Sequence, residues 1–299
     1  MHEALRPLGD IRPLNNPVLL ASLSGFTDAH GAAVTAIDHL AEEWNAEPLA
    51  EIEAEHFFDF TVQRPRVGLV DGERVVTWPE NRFYVARPEG ADRDFILLAG
   101  VEPHLRWREF TTLIADFVGE LGSTTSITLG AQPSGVPHTR PVPLSLSASD
   151  PLFEELFGLK APASRYQGQT GVVAVLNLAL RARGWDNASL WAMVPHYISA
   201  GPNPNVAISI IELIDRSFGT TTDLTSLREE AEQFEDQVRS VLADSEEAAA
   251  YVRQLEEQFD TNQPPLPAPQ EQRPEELPDA EDLLGDLERF LKDQRQDDD

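Results

Sequence analysis

Residues 17–31 read PVLLASLSGFTDAHG, and the reading of that stretch decides the fold. PVLLAS, residues 17–22, is an apolar run of strand length. Leu23, Ser24, Gly25, Phe26 and Thr27 follow as a loop. Beyond them Ala33, Ile37, Leu40 and Trp44 recur every three to four residues, the spacing that puts side chains on one face of a helix. Asp28 stands where an N-cap belongs, because a short carboxylate can accept from the free N–H groups of a first turn. The spacing therefore predicts a strand–loop–helix unit.

Working outward, the same alternation continues. Leu49, Ile52 and the cluster Phe57–Phe60 come next, with Glu51, Glu53 and Glu55 at period two, expected as the solvated face of a strand. Asp71-Gly72 separates two apolar runs in RVGLVDGERVVTW and predicts a hairpin. Strands are expected at 82–86 and at 95–99, the second apolar throughout, as a strand covered on both faces must be. A helix is expected over 106–121, ended by Gly122, then strands over 124–129 and 142–146. Asp150-Pro151 opens a helix, and Thr170-Gly171 caps GVVAVLNLALRARG, which is apolar nearly all round. A strand is expected over 190–197, and Asn203-Pro204 caps a last helix of the body. Strands alternating with helices over some 200 residues specify an α/β class: a three-layer core with a mixed, mainly parallel sheet.

The chain changes character after Gly219. Leu224, Leu227, Ala231, Phe234, Val238 and Val241 repeat at three and four residues, and Ala249, Val252, Leu255 and Phe259 resume the rhythm after a break near Asp244-Ser245. Two amphipathic helices result, a C-terminal helical hairpin. From Thr261 the sequence is rich in proline and acid, expected as a disordered tail that a short apolar patch at Leu283–Leu291 interrupts. The expected organisation is thus an α/β core over 1–222, a helical hairpin over 223–260 and an acidic tail over 261–299.

Composition bounds the function. The chain has 299 residues, 51 acidic against 23 basic, a net charge of −28 and no cysteine. Residues 223–299 hold 24 acids and 7 bases, −17 of that total. Such a charge repels phosphate backbones, so no nucleic acid is expected as a partner. Without cysteine there is no disulfide framework and no cysteine nucleophile. The opening MHEALRPLGD lacks the order of a secretory signal, and no apolar run approaches the roughly 20 residues that cross a bilayer. A cytoplasmic protein away from the membrane is expected.

Four segments could carry chemistry. The loop Gly25, Phe26, Thr27 and Asp28, between a strand end and a helix start, lies where α/β folds bind anions, although it is neither GxGxxG nor a P-loop; as a plain turn it needs only its glycine and its cap. His138, Thr139 and Arg140 sit in a proline-bounded loop, PHTRP, as an anion clamp or as an arginine that satisfies loop carbonyls. Thr170 and Gly171 form a second possible nest or a simple cap. His196 ends a strand. These ten residues make one candidate anion or ligand pocket. No catalytic residue, metal or cofactor is expected: the seven histidines form no HxH or HExxH pair, and no GxSxG elbow occurs.

Six segments, in order, carry a family resemblance: LLASLSGFTDAHGAA (19–33), FFDFTVQRPRV (57–67), LLAGVEP (97–103), LGAQPSGVPHTRPV (129–142), GQTGVVAVLNLAL (168–180) and MVPHYISAGPNPNVAISIIELI (193–214). In these the chain resembles the PAC2 family, named for a proteasome assembly chaperone, in its actinobacterial branch. The resemblance implies a nucleoside-phosphorylase- or hydrolase-like core and a non-enzymatic chaperone or scaffold. It implies a homo-oligomer that touches proteasome α-subunits. Some members reach the ring through a C-terminal hydrophobic–Tyr–any motif, whereas this sequence ends Gln296, Asp297, Asp298, Asp299. The alternative is a small-molecule- or anion-binding enzyme on the same core. An ATP-grasp-type carboxylate–amine ligase fits least, since the body has one lysine, Lys160, for phosphate contacts and no glycine-rich loop to cradle them.

Overall fold

The computed structural model describes residues 2–9, 12–164, 166–198, 201–243 and 245–261, and these described residues all fall within one compact unit. The tail expected beyond Thr261 lies outside the described residues.

Among the described residues, ten strands and seven α-helices are built. The first half holds β1 (Leu5–Pro7), β2 (Val18–Ser24), α1 (Ala32–Glu43), β3 (Glu47–Ile52), β4 (Arg66–Val70), β5 (Glu73–Thr77), β6 (Asn81–Ala86), β7 (Phe95–Val101) and α2 (Trp107–Glu120). The second half holds β8 (Thr125–Ser134), β9 (Leu144–Ala148), α3 (Leu152–Phe157), α4 (Val172–Ala182), β10 (Asp186–Pro195), α5 (Pro204–Phe218), α6 (Thr225–Ala243) and α7 (Glu246–Asp260). Eight strands form one sheet in the order β1-β3-β6-β7-β2-β8-β10-β9, while β4 and β5 pair as a separate ribbon. The central four strands, β7, β2, β8 and β10, are mutually parallel, and antiparallel ladders extend the sheet on both sides.

Strand β2 shows why three layers form. Val18 and Leu20 point to one side and join a core with α1, α3 and α5; Leu19, Ala21 and Leu23 point to the other and join a core with α2 and α4. All five are at most 2% exposed. Burying one such leucine on folding contributes roughly 1.5–3 kcal/mol, so both faces of the strand must be covered. Phe95 on β7 is fully buried between Trp44 and Phe218, with ring centres 4.9 and 5.2 Å away.

A polar seam crosses the second face. Asn187 on β10 donates from Nδ2 to Ser126 Oγ (3.0 Å) and to Asn177 Oδ1 on α4 (2.9 Å), and Asn177 in turn donates to Thr128 Oγ1 (3.0 Å). Buried polar groups are tolerated because each finds a partner.

The C-terminal helices continue from α5. Gly219, at φ 71°, ends that helix, and the Asp215 carboxylate accepts from the Thr220 hydroxyl and the Thr222 amide to shape the turn. Leu224 and Leu227 root α6 in the first core, whereas Phe234 and Val238 pack with Ile198 in a small separate cluster. Ser245 then starts α7 by accepting from Ala248 N (3.2 Å), at the break the heptad rhythm predicts.

Several local expectations shift. Strand β3 stops at Ile52, so Glu53 and Glu55 leave the strand for a 3-10 turn, and Glu51 is held by Arg6 and Arg82 rather than merely solvated. The strand expected at 142–146 is Leu144–Ala148, and that expected at 190–197 begins at Asp186, since Asn187 and Ser189 read as polar but face the seam. Helix α4, apolar nearly all round, is not buried all round, for Leu178 stands 66% exposed. The first strand, β1, has only three residues and no sequence signal beyond Leu5.

Candidate functional site

The candidate residues fall into two groups at the end of the sheet where the parallel strands finish. In the first, Gly25, Phe26, Thr27 and Asp28 leave β2. The Thr27 carbonyl accepts from Ala131 N at 3.0 Å, which ties the loop to β8. Asp28 accepts from Ala33 N (2.7 Å) and Val34 N (2.9 Å) and so caps α1 from one 3-10 turn upstream. It is 2% exposed, and burial pushes its carboxyl up to about 6 against the two hydrogen bonds that hold it down.

That shift has a measurable sign. Well below the ordinary value of 3.8 the carboxyl is protonated in both folded and unfolded chains and contributes nothing. As pH rises through 4 to 6 the unfolded chain ionises first, so this group makes stability fall, by about 3 kcal/mol once both forms are ionised. Asp28→Asn should remove that component. The check is unfolding free energy against pH, where the parent-minus-variant difference should drop across this window; a flat difference would show an ordinary carboxyl.

Thr170 and Gly171 stand against the same loop. A Cβ on Gly171 would lie 2.7 Å from Thr27 Cγ2 and 2.9 Å from Glu102 Oε1, so only glycine fits. Glu102, directly after β7, fills the space between. Its Oε2 accepts from Phe26 N (2.9 Å) and its Oε1 from Val172 N (2.6 Å), the first residue of α4. Thr170 makes no side-chain cap; the helix N-terminus takes a carboxylate from a distant strand instead. The two predicted anion nests are thus one nest, and the chain's own Glu102 occupies it. The sequence reading missed Glu102. Its signal was a lone acid at the end of an apolar strand run, in LLAGVEP.

The second group converges on α7. Tyr197 OH accepts from His138 N (2.9 Å) and donates to His138 Nδ1 (2.7 Å), an assignment that puts the His138 ring proton on Nε2. Burial lowers the His138 pKa and raises the Tyr197 phenol to about 12. His196 Nδ1 donates to the Ser134 carbonyl (2.9 Å), which leaves Nε2 to accept from Tyr251 OH (3.2 Å) on α7. The rings of His196, Tyr197 and Tyr251 stand edge to face, 5.7 to 6.2 Å apart.

Arg140 grips the same helix. Its Nε and Nη2 donate to the two oxygens of Asp260 at 2.8 Å each, and its Nη1 to Glu256 at 3.3 Å. The Thr139 hydroxyl also donates to Glu256. The Arg140 guanidinium holds the Asp260 carboxyl below the usual range. Arg140 therefore forms a two-pronged carboxylate clamp, and the carboxylate belongs to the chain itself. Beside it lies a cleft of about 600 Å³ between this loop, α5, α6 and α7, lined among others by His138, Asn205, Glu235, Arg239 and Val252.

The structure does not merge the two groups. Among the described residues no hydrogen bond links the Gly25–Asp28 loop or Gly171 to His138–Arg140 or His196, and the cleft includes none of the first group. Among the described residues no cluster of three or more His, Asp or Glu is placed to hold a metal, and no helix is long and apolar enough to cross a membrane.

This order of elements and loops has relatives. A PAC2 family protein from Streptomyces avermitilis is 40% identical with a TM-score of 0.71, covering 79% of this chain and 99% of that one. A Mycobacterium tuberculosis proteasome-assembly chaperone homologue is 37% identical with a TM-score of 0.69, over the same 79% and 99%. A Pyrococcus furiosus archaeal proteasome activator shares the fold at 21% identity and a TM-score of 0.64, covering 79% and 97%. No match is found among curated proteins. Residues 22–242 match the PAC2 family, a stretch that takes in the Glu102 nest and the PHTR and PHY loops and ends before α7, and the chain belongs to that family.

Proposed function

We propose that this protein is a non-enzymatic assembly chaperone or scaffold of the cytoplasm that works as a homo-oligomer and engages proteasome α-subunits. The observation that carries this reading is the 37% identity, over 79% of this chain and 99% of the other, to a proteasome-assembly chaperone homologue. The site chemistry agrees with it. Both places best suited to an anion are filled by carboxylates of the same chain, Glu102 in the nest and Asp260 in the Arg140 fork. An enzyme built on those donors would need them free. In this reading the hairpin over 223–260 is a separate functional piece, which the body's PHTR and PHY loops hold in one position.

The test is a mixture of the purified full-length chain with proteasome α-subunits of an actinobacterium, followed by light scattering on a sizing column. Co-elution, and faster appearance of assembled rings when the chain is present, is the expected result. Separate peaks at about 10 μM of each, a concentration that would reveal micromolar affinity, would sink the reading.

The cleft of about 600 Å³ favours a second reading, a small-molecule-binding enzyme. Inorganic phosphate, nucleosides and nucleotides distinguish it by thermal shift. A ligand at 100 times its dissociation constant stabilises by about 2.7 kcal/mol, and the chaperone reading expects none of these to do so.

A further inference from the structure

Helix α7 lies on the body without entering it. Of its 15 residues only Val252 and Leu255 are buried, and neither belongs to the two cores that flank the sheet. What holds it is polar: the Arg140 fork on Asp260 and Glu256, the Thr139 hydroxyl on Glu256 and the bond from Tyr251 to His196. The Asp260 side chain is 53% exposed, so salt screens that ion pair. The last turn of α7 carries Glu257 and Asp260 and no base, at the negative end of the helix dipole, and Arg140 supplies the missing cation. A helix held in this way can be displaced.

The fit is also incomplete. Ala249 and Val252 are the α7 residues that line the cleft of about 600 Å³, together with Val142 on the PHTR side and Leu242 near the end of α6. Two small side chains stand where larger ones would fill the space. The seat itself lies inside the family match and its occupant outside it. His138, Thr139, Arg140, His196 and Tyr197 fall within residues 22–242, whereas α7 begins at Glu246. The occupant nonetheless displays what the seat accepts. Tyr251, Val252, Leu255, Glu256 and Asp260 share one side of the helix, with two carboxylates one turn apart on Arg140.

We propose that the PHTR–PHY seat is an interaction surface for an acidic amphipathic helix of a partner protein, and that α7 covers it in the free chain. The partner helix carries two carboxylates one turn apart and bulky apolar side chains where α7 has Ala249 and Val252. The proposal deepens the chaperone reading above and rests on it for the existence of a protein partner.

Two labelled synthetic peptides test it by fluorescence anisotropy against the full chain: residues 245–261 as they stand, and the same peptide with Ala249→Leu and Val252→Phe. The second should bind at least about tenfold more tightly than the first. A full chain with Glu256→Ala and Asp260→Ala, whose own α7 is freed from Arg140, should bind it about tenfold more tightly than the parent does. A seat that is open more of the time takes less from the ligand's affinity. In that background Arg140→Ala removes a contact to the peptide alone and should weaken binding by about tenfold. Circular dichroism verifies that each chain is folded. No binding of the second peptide to the loosened chain at about 100 μM, equal affinity of the two peptides, or an affinity that Arg140→Ala leaves unchanged would overturn the proposal. An oligomeric parent that Arg140→Ala dissociates on a sizing column would give the seat to α7 of a second copy and overturn the foreign partner. Peptide binding without co-elution of α-subunits would overturn the proteasome partner alone, and co-elution without peptide binding this surface alone.

Discussion

Replacing Glu102 by alanine should cost the folded chain about 3 kcal/mol, because two amides lose a charged acceptor at once. Phe26 N and Val172 N both point at its carboxylate, at 2.9 and 2.6 Å. Val172 is also the first residue of α4, so the carboxylate meets the positive end of a helix, an interaction of roughly 0.3–1 kcal/mol or more when partly buried. Glu102→Gln keeps one good acceptor and should lose about half as much. Urea unfolding reads the difference as a lower midpoint at unchanged slope. The variant offers a second readout. With the carboxylate gone, the two amides are a vacant anion nest, so inorganic phosphate should raise the melting temperature of Glu102→Ala and leave the parent's unchanged. A loss below about 0.5 kcal/mol, the range of ordinary surface changes, would mean that the carboxylate does not organise this end of the sheet.

Asn187→Leu should cost a similar amount, about 3 kcal/mol, through a different mechanism. Asn187 is fully buried, and its amide group is the donor to both Ser126 and Asn177. Leucine is near in size, so the loss is not one of volume; it leaves two buried oxygens short of a donor, takes the acceptor from Arg181 Nε (2.9 Å) and forces apolar atoms against all three. Asn187→Asp, which keeps the shape and the oxygen that accepts from Arg181 Nε, removes only the two donors and should cost less than leucine. Unfolding that leucine leaves unaltered would show that the seam is passive packing.

These two positions also mark how far the sequence could be read. The strand–loop–helix at 17–44 was legible because burial on both faces demands an unbroken apolar run, and because helix spacing repeats whatever the helix packs on. The hairpin turn at Asp71-Gly72, the Asn203-Pro204 cap and the break at Asp244-Ser245 were legible for the same reason: each is satisfied by residues a few positions away. Asp28 capped its helix as expected, although one 3-10 turn lies between. Glu102 and Asn187 were not legible. One caps a helix some 70 residues on along the chain, and the other is polar in a strand where polarity argues for a shorter strand.

The candidate pocket divides along the same line. Its residue types were readable, since a glycine-bearing loop at a strand end and an arginine in a rigid proline loop are anion receptors by their chemistry. What fills them was not. The nest is closed by the carboxylate of Glu102, the residue after β7, and the Arg140 fork by Asp260, 120 residues away. His138 and His196, two of the ten pocket candidates, serve with Tyr197 and Tyr251 to seat α7.

By itself, then, the residue order determined the class of fold, the helical hairpin, the acidity concentrated in the last quarter and the family. Each of those depends on short-range periodicity, local caps or a sum over residues, and such quantities do not need the chain to be folded. Only the tertiary structure decided that two predicted nests are one and that its occupant is Glu102. It alone showed that the arginine clamp holds the protein's own helix and that this helix leaves a cleft beside it. Those facts depend on which distant groups meet. A carboxylate, an amide or an apolar side chain carries no mark in sequence of the partner that will satisfy it.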